Sequence, residues 1–283
     1  RLGQEMALLG SVLCALAFDT PMMMPARRGG FSGASRFTGP VVAAAATYDI
    51  TKVRGEDATL RQAAGFFVDG FWCASTTSGE TTLNAQDVEQ LTDLQTDDMV
   101  SRYGELVGSR RLKSSLFLAH DSSGEVAGCV GVEMALVDPS CGKVLSRTQG
   151  ENLFNNELGG MGARERNKYR KMDVMELTEE LFPEYKLFAL LANLAVASNS
   201  RGSGLGKILC DQCDTTGEEW GVPAIMLQVE EANVPARKLY ESVGFQEVFR
   251  DDAASALRVQ PGQGAEELLK PERTTLILMG KGL

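Results

Sequence analysis

A glycine-rich segment at residues 201–207 has the residue types best suited to chemistry. It reads Arg-Gly-Ser-Gly-Leu-Gly-Lys and follows a long apolar run at residues 187–196. A loop of this kind directs several backbone N–H groups at one spot, and the N-terminus of a following helix adds its partial positive charge. The segment therefore predicts a site for phosphate groups between a buried strand and a helix.

The spacing of the glycines excludes two common phosphate-binding motifs. A Walker A loop requires G-x-x-x-x-G-K-[ST], but Gly202 and Gly206 are only four positions apart. The dinucleotide fingerprint G-x-G-x-x-G also fails, because Lys207 stands where its last glycine should be. The pattern that does match is R-x-x-G-x-G, formed by Arg201, Gly204 and Gly206.

A second motif lies downstream of this loop. It has the pattern N-x-x-A-x-x-L-Y-x-x-x-G-F, formed by Asn233, Ala236, Leu239, Tyr240, Gly244 and Phe245. Together with Leu-Ala-Val at residues 194–196, the two motifs resemble the GNAT N-acetyltransferase superfamily over residues 187–250. Within that superfamily, Asn193 before Leu-Ala-Val, a leader and a long insertion look most like the plastid GNAT acetyltransferases, which act on protein N-termini and lysine side chains.

The resemblance implies an α/β (α+β) architecture, the GNAT fold. Its central sheet is mixed but mostly antiparallel, has six to seven strands flanked by helices, and opens as a V between two central strands to admit acyl-CoA. The hydrophobic pattern agrees, because strands and helices alternate along the chain. Strands are predicted at residues 47–54, 115–120, 126–137, 187–196, 224–229, 245–250 and 274–279. Helices are predicted at residues 56–74, 85–108, 205–220 and 235–242.

Some finer expectations follow from the same patterns. A polar linker is predicted at residues 251–273. The buried side of the helix at 85–108 is assigned to Leu91, Leu94, Val100 and Leu106. The buried side of the helix at 205–220 is assigned to Leu205, Ile208, Leu209 and Cys213.

Residues 1–45 are predicted to be a targeting leader, which leaves 46–283 as one acetyltransferase domain with an insertion at 138–186. Residues 6–18 form an apolar run that is too short to span a bilayer, which takes about 20 residues, but fits a signal peptide. The following residues contain arginines and a single acid, Asp19, as transit peptides do. Together they resemble the bipartite leader of algae with complex plastids. We therefore expect a plastid stroma location, with the cytoplasm as second choice and no membrane association of the mature chain; the alternative is a disordered tail.

Composition excludes several classes of function. The 283 residues include 28 Lys and Arg and 38 Asp and Glu, a net charge of -10, which disfavours a nucleic-acid partner. With His120 as the single histidine, neither a multi-histidine metal site nor a Ser-His-Asp triad is expected. Cys210 and Cys213 form one isolated C-x-x-C pair, which we interpret as two small apolar residues on one helix face. No metal is predicted.

The resemblance implies acetyl-CoA as the cofactor and assigns its contacts. Backbone groups of Leu194, Ala195 and Val196 would pair with the pantetheine arm as an added strand. Asn233 would bind near the pantetheine or the substrate, with Ala236 in the same motif. The pyrophosphate would be held by loop amides of Arg201, Gly202, Ser203, Gly204, Leu205, Gly206 and Lys207.

Tyr240 is the predicted general acid, which also places it beside the cofactor. It matches the tyrosine that in this family often protonates the departing thiolate. A phenol of pKa about 10 can deliver a proton to a thiolate of pKa about 8.5 as the tetrahedral intermediate collapses. The alternative is a packed aromatic side chain at a helix end.

The general base is left open. Some relatives that acetylate α-amines carry Glu in a Leu-Glu-Val strand, but this chain has Gln228 there, which cannot accept a proton at neutral pH. Glu230 and Glu231 are candidates, and strand alternation lets at most one of them face the substrate. Glu133 and Asn193 are further candidates that would act through a water molecule.

The lack of an obvious general base indicates which class of acceptor amine is favoured. An α-amine of pKa about 7.8 is about 60% neutral at pH 8, whereas a lysine of pKa about 10.4 is under about 1% neutral. We therefore predict an acetyltransferase that moves the acetyl group of acetyl-CoA to the α-amino group of protein N-termini, with lysine side chains as a second class, by direct attack in a ternary complex. The alternatives are a small-molecule amine acetyltransferase, acting on a polyamine or amino acid, and a silent acyl-CoA-binding subunit.

Overall fold

The computed structural model describes residues 47–53, 57–73, 83–104, 111–261 and 268–283. The strands are β1 (Asp49–Lys52), β2 (Ser114–His120), β3 (Val126–Asp138), β4 (Lys143–Leu145), β5 (Lys186–Val196), β6 (Ala224–Glu230), β7 (Gln246–Asp251), β8 (Ser255–Val259), β9 (Leu269–Arg273) and β10 (Leu276–Gly282). The helices are α1 (Asp57–Phe67), α2 (Ala85–Tyr103), α3 (Arg147–Gly160), α4 (Ala163–Tyr169), α5 (Val174–Leu181), α6 (Leu205–Trp220) and α7 (Val234–Ser242). A π-helical turn (Val68–Cys73) continues α1, and a 3-10 turn (Ser198–Ser200) follows β5.

The main sheet has the strand order β1-β2-β3-β5-β6-β10-β7, with β4 paired to β3 beside this path. Its pairs are antiparallel except for β5 and β6, which are parallel. The predicted α/β fold class is therefore confirmed, including its mixed, mostly antiparallel sheet of about seven strands. The predicted strands at 187–196 and 224–229 are the two that meet in parallel at the centre.

Helices cover both faces of this sheet, which is why β3 and β5 are buried along nearly their whole lengths. On one face α6 and α7 pack against alternate strand residues, with Leu209 and Tyr240 in the same buried cluster as Val130. On the opposite face α1 and α2 pack in a cluster in which Phe67 joins Ala195. The central strands therefore lie between two hydrophobic layers.

Two expectations about the later part of the chain were wrong. The predicted polar linker at 251–273 contains β8 and β9, which form a separate two-stranded antiparallel sheet. Ile208 is 41% exposed rather than buried. The buried stripe of α6 consists of Gly206, Leu209, Cys210 and Cys213. Because an α-helix turns 100° per residue, Ile208 lies well outside this stripe.

The helix at 85–103 also differs from its predicted form. It ends at Tyr103, and Leu106 lies outside the described residues. Leu91 is buried as expected, whereas Leu94 and Val100 are only partly buried. The same side of α2 buries polar residues that hydrophobic periodicity could not identify, including Asp98 and Arg102.

The insertion at 138–186 is ordered structure: β4 and the three helices α3, α4 and α5. The basic cluster at residues 164–171, including Arg164 and Lys171, is exposed, whereas Arg147 at the start of α3 is buried. Cys210 and Cys213 are both fully buried in α6, which confirms their interpretation as apolar packing residues. No helix within the described ranges has the length and apolar character needed to cross a bilayer. The predicted leader lies outside the described residues.

Candidate active site

The central parallel pair of strands diverges shortly after it begins. β5 and β6 pair only at Ala189 with Ile225 and at Leu190 with Met226. Beyond Leu190, β5 runs on to Val196 and stays paired with β3 on its other edge, where Val196 lies opposite Gly128. Among the described strands, none pairs with the edge of β5 that faces β6 beyond Leu191. This is the predicted V-shaped opening, and its open backbone edge can pair with an extended ligand.

A β-bulge at Asn193 shapes the edge of this opening. Asn193 has φ +51°, the only positive φ of a described residue other than glycine, and the β3–β5 register shifts between Cys129 and Gly131. The bulge turns Asn193 toward α2, where its Nδ2 donates a hydrogen bond to the Tyr103 hydroxyl at 3.4 Å. Its Oδ1 is buried without a hydrogen-bond partner in the described part of the chain. Backbone strain of this kind is concentrated at functional sites.

The glycine-rich loop lies directly after the open edge of β5. Gly202 and Gly204 have φ values of +77° and +92°, which L-residues with a Cβ rarely adopt. Gly204 occupies the N-cap position of α6 and offers no capping side chain. Of the first-turn N–H groups, that of Leu205 donates to Ser203 Oγ and that of Lys207 to the Gly204 carbonyl, which leaves the N–H of Gly206 for a ligand. The exposed Lys207 adds a positive charge. The loop therefore has the character of an anion site, as predicted.

A cavity of about 360 Å³ lies between this loop and the start of α7. Its lining residues are Val196, Ser200, Arg201, Gly202, Gly204, Leu205, Gly206, Lys207, Pro235 and Leu239. Seven of them were predicted as cofactor contacts; Ser200, Pro235 and Leu239 were not. Pro235 and Leu239 are four positions apart, so they share one face of α7, and this spacing was the available signal for them.

The remaining predicted cofactor contacts have other surroundings. The side chains of Leu194 and Ala195 are buried, so only their open backbone edge is offered to a ligand. Asn233 is the N-cap of α7, and its Oδ1 accepts a hydrogen bond from the backbone N–H of Ala236 at 3.2 Å. Ala236 is fully buried and does not line the cavity. Ser203 does not line it either, and its hydroxyl instead joins parts of the loop.

Tyr240 is fully buried in α7. Its ring contacts that of Phe245 edge-on, with centroids 5.8 Å apart, and the Phe245 N–H donates to the Tyr240 carbonyl at 3.0 Å. Gly244, with φ +96°, allows the chain to turn back for this contact. Tyr240 belongs to the same buried cluster as Leu194 of β5 and Val229 of β6, the two strands that diverge.

Glu230 and Glu231, the first candidates for the base, are both held in ion pairs. Glu230 is almost fully buried at the end of β6 and contacts both terminal nitrogens of Arg258, at 3.0 and 2.5 Å. Glu231 is partly exposed and pairs with Arg250 at 2.5 Å. The structure therefore presents neither side chain as a free carboxylate.

Glu133 is the most deeply buried of the candidate bases. Its Oε1 accepts hydrogen bonds from Nη1 of Arg102 at 2.8 Å and from the backbone N–H of Arg147 at 3.3 Å. Burial raises the pKa of this carboxyl above its usual value, and the positive charge of Arg102 opposes that rise. Gln228 lies on β6 opposite Leu278 and is partly buried.

The sequence model described as the acetyltransferase (GNAT) family matches residues 85–245, more than half of the chain. The chain belongs to the GNAT acetyltransferase family. Enzymes of this family use acetyl-CoA, and the residues present fit that cofactor: an uncapped helix start for the pyrophosphate and an open strand edge for the amide-bearing arm.

Two curated relatives are ribosomal protein bS18-alanine N-acetyltransferases. The Escherichia coli K12 protein is 32% identical over 105 residues, which cover 37% of this chain and 63% of that protein. The Haemophilus influenzae protein is 42% identical over 60 residues, which cover 21% of this chain and 40% of that protein. The chain thus spans less than two thirds of the length of these relatives.

Solved structures of GNAT enzymes are also similar to this chain. A GCN5-related N-acetyltransferase from Kribbella flavida has 18% identity and a TM-score of 0.44, with 83% of this chain and 98% of that chain covered. The Escherichia coli ribosomal-protein-S18-alanine N-acetyltransferase has 16% identity and a TM-score of 0.41, with 83% and 94% covered.

Proposed function

We propose that the chain transfers the acetyl group of acetyl-CoA to the α-amino group of protein N-termini. The observation that carries the proposal is the divergence of β5 and β6 immediately before the glycine-rich loop. An open strand edge, an uncapped helix start and a 360 Å³ cavity therefore follow one another along a single path. This order matches the order of thioester arm and pyrophosphate in acyl-CoA.

Each part of this path has its own role in the proposed acetyl transfer. Acetyl-CoA supplies the acetyl group and the leaving thiolate. The open edge of β5 holds the arm in the opening, and the loop amides and Lys207 hold the pyrophosphate. The acceptor nitrogen attacks the thioester carbon, so that a C–N bond forms and the C–S bond breaks. Tyr240 delivers its phenolic proton to the sulfur, the amine proton leaves to solvent, and the phenolate takes a proton back from solvent before the next turnover.

The acceptor class is supported by the state of the candidate bases. Glu230 and Glu231 are committed to Arg258 and Arg250, and position 228 is a glutamine. Without a strong base, an acceptor that is already partly neutral is favoured, and α-amines meet this condition far better than lysines. The name of the similar bacterial proteins, bS18-alanine N-acetyltransferase, points to the same class. Lysine side chains are proposed as the weaker acceptors.

We also propose that residues 1–45 direct the chain to a plastid, on the composition of that segment alone. A fluorescent protein fused after residue 45 should enter the plastid of a complex-plastid alga. The same fusion with Arg27, Arg28 and Arg36 changed to Glu should not enter, because transit peptides are poor in acids. Plastid entry by both fusions, or by neither, would contradict this proposal.

The test of the acetyltransferase proposal is thiol release from acetyl-CoA with three acceptors. These are a peptide with a free N-terminal alanine, the same peptide blocked at its α-amine but containing lysine, and spermidine. The free peptide should support the fastest turnover. Tyr240→Phe should lower kcat about 100-fold without changing the Kd for acetyl-CoA, because a general acid contributes at least about that factor.

Tyr169→Phe is the matched control. It removes a tyrosine hydroxyl that donates to Glu180 in the insertion, away from the opening, and should leave kcat unchanged. Turnover with spermidine alone would establish a small-molecule enzyme instead. Binding of acetyl-CoA without turnover of any acceptor would establish a silent subunit. An equal loss of kcat in Tyr240→Phe and Tyr169→Phe would show that Tyr240 is not the general acid.

A further inference from the structure

A long-range hydrogen bond joins the N-terminal strand to the glycine-rich loop. The hydroxyl of Tyr48 donates to Oγ of Ser203 at 2.9 Å, across 155 positions of sequence. Tyr48 directly precedes β1, and its half-buried ring packs against the main hydrophobic cluster that also contains Leu205 and Leu209. The ring of Tyr48 therefore packs beside the edge of the sheet, and its hydroxyl reaches the loop from there.

Ser203 is the residue within the loop that needs such a contact. It stands between Gly202 and Gly204, whose positive φ values give this stretch large conformational freedom in the absence of other constraints. Its hydroxyl donates to the Ser200 carbonyl at 2.7 Å and accepts from the Leu205 N–H at 3.4 Å. These bonds close the loop between the end of the 3-10 turn and the first residue of α6.

The bond from Tyr48 completes the hydrogen-bonding capacity of this serine. A hydroxyl has one donor and two acceptor sites, and Ser200, Leu205 and Tyr48 occupy all three. A fully satisfied hydroxyl at the centre of a glycine-rich loop holds the backbone N–H groups around it in one arrangement. A loop ordered before binding loses less conformational entropy when a ligand binds.

We propose that Tyr48 is a positioning residue for the cofactor, which acts by tethering Ser203 and thereby pre-ordering the pyrophosphate loop. The inference rests on the proposed function, since it takes the loop to be the acetyl-CoA site. Tyr48 touches neither the acceptor nor the reacting atoms, so its effect is confined to cofactor affinity. Any maturation cut that removed Tyr48 would also remove this tether.

The test compares acetyl-CoA affinity and turnover in the full chain and its variants. Tyr48→Phe keeps the packed ring and removes one hydrogen bond, so the Kd for acetyl-CoA, measured by calorimetry, should rise about three- to tenfold. The kcat at saturating acetyl-CoA, the KM for the N-terminal peptide and the melting temperature should not change. A general loss of structure would move all four.

A double-mutant cycle shows whether the effect passes through Ser203. Ser203→Ala should raise the Kd at least as much as Tyr48→Phe, and adding Tyr48→Phe to it should cause no further rise. Tyr169→Phe, which removes a distant tyrosine hydroxyl, should leave the Kd unchanged. Additive effects of the two loop variants, or a Kd within twofold of the unaltered chain for Tyr48→Phe, would overturn the inference alone. Failure of the unaltered chain to bind acetyl-CoA would overturn the proposed function and the inference with it.

Discussion

Glu230 and Arg258 form a two-point ion pair that ties the β8–β9 hairpin to the end of β6. The carboxylate oxygens accept from Nη1 and Nη2 at 3.0 and 2.5 Å, and the Thr274 hydroxyl donates to the same carboxylate at 3.0 Å. Because Glu230 ends the strand that forms one side of the opening, the pair fixes the hairpin beside the proposed reaction site. Glu230, which was predicted as a candidate base, therefore anchors the β8–β9 hairpin.

The hairpin also has an apolar contact with the π-helical turn that follows α1. Val259 at the end of β8 and the neighbouring Leu268 belong to the buried cluster of Phe71 and Trp72 in the π-helical turn. Gly70 of that turn lies close to Ala195 on the open edge of β5. The hairpin and the π-helical turn therefore share one buried cluster on the face of the sheet that α1 and α2 cover.

Replacing Arg258 by methionine tests this anchor. The change keeps an unbranched side chain but leaves the buried Glu230 carboxylate with an unpaired charge, which should lower the free energy of unfolding by about 3 kcal/mol. Amide exchange in β8 and β9 should become faster, measured by hydrogen–deuterium exchange. Arg273→Met in the exposed part of β9 is the control and should change stability by less than about 0.5 kcal/mol. Equal effects of the two changes would show that the ion pair is not an anchor.

The comparison of this hairpin with β5 shows what sequence could and could not reveal. β5, the loop and α6 were predictable because each has a local signal: a continuous apolar run, glycines at fixed spacing and a helical stripe. β8 and β9 have no such signal, since both are short, β9 is largely exposed and β8 buries only Ala256 and Val259. Their position depends on the contact of Arg258 with a residue 28 positions away. Such long-range pairs are absent from any local pattern.

In the candidate site too, some features were predictable from local sequence patterns and others were not. The phosphate loop was predicted from the R-x-x-G-x-G motif and the strand before it, and the opening from the family resemblance that both motifs carry. The capping role of Asn233 and the pairing of Glu231 with Arg250 were not, because each depends on the final placement of a helix end or a strand edge. Sequence motifs identify which residues lie near the site. Their hydrogen-bond and ion-pair partners, which only the structure shows, determine which side chains can take part in the reaction.

Gly204 and Gly221 provide a second prediction, because both have positive φ at the two ends of α6. Their φ values are +92° and +74°, and a Cβ at either position would meet nothing within 4 Å. Changing either glycine to alanine should therefore cost backbone strain without a clash, about 1–2 kcal/mol of stability. Gly204→Ala should also raise the Kd for acetyl-CoA about tenfold, measured by calorimetry, because the loop backbone must shift. Gly221→Ala should leave that Kd unchanged. An equal rise in Kd for both variants would show that the loop does not bind the cofactor.

The last prediction concerns the missing base at Gln228. In the unaltered chain, kcat/KM for a peptide with a free α-amine should rise nearly tenfold per pH unit between pH 6 and 7, because the neutral fraction of an amine of pKa about 7.8 rises in that way. Gln228→Glu places a carboxylate on the face of β6 that carries Glu230, two residues away. That carboxylate can accept the amine proton, so kcat/KM at pH 6 should increase several-fold and its slope against pH should become smaller.

Gln246→Glu is the control for the added charge. Gln246 is exposed on β7 opposite Gly280, at the far edge of the sheet, so the same change there adds a negative charge without a proton acceptor near the opening. Its pH profile should match that of the unaltered chain. If Gln228→Glu also left the profile unchanged, the amine would not be deprotonated at this face of β6. The buried Glu133, which is ion-paired with Arg102 through Oε1 but whose Oε2 has no hydrogen-bond partner among the described residues, would then be the next candidate base to change.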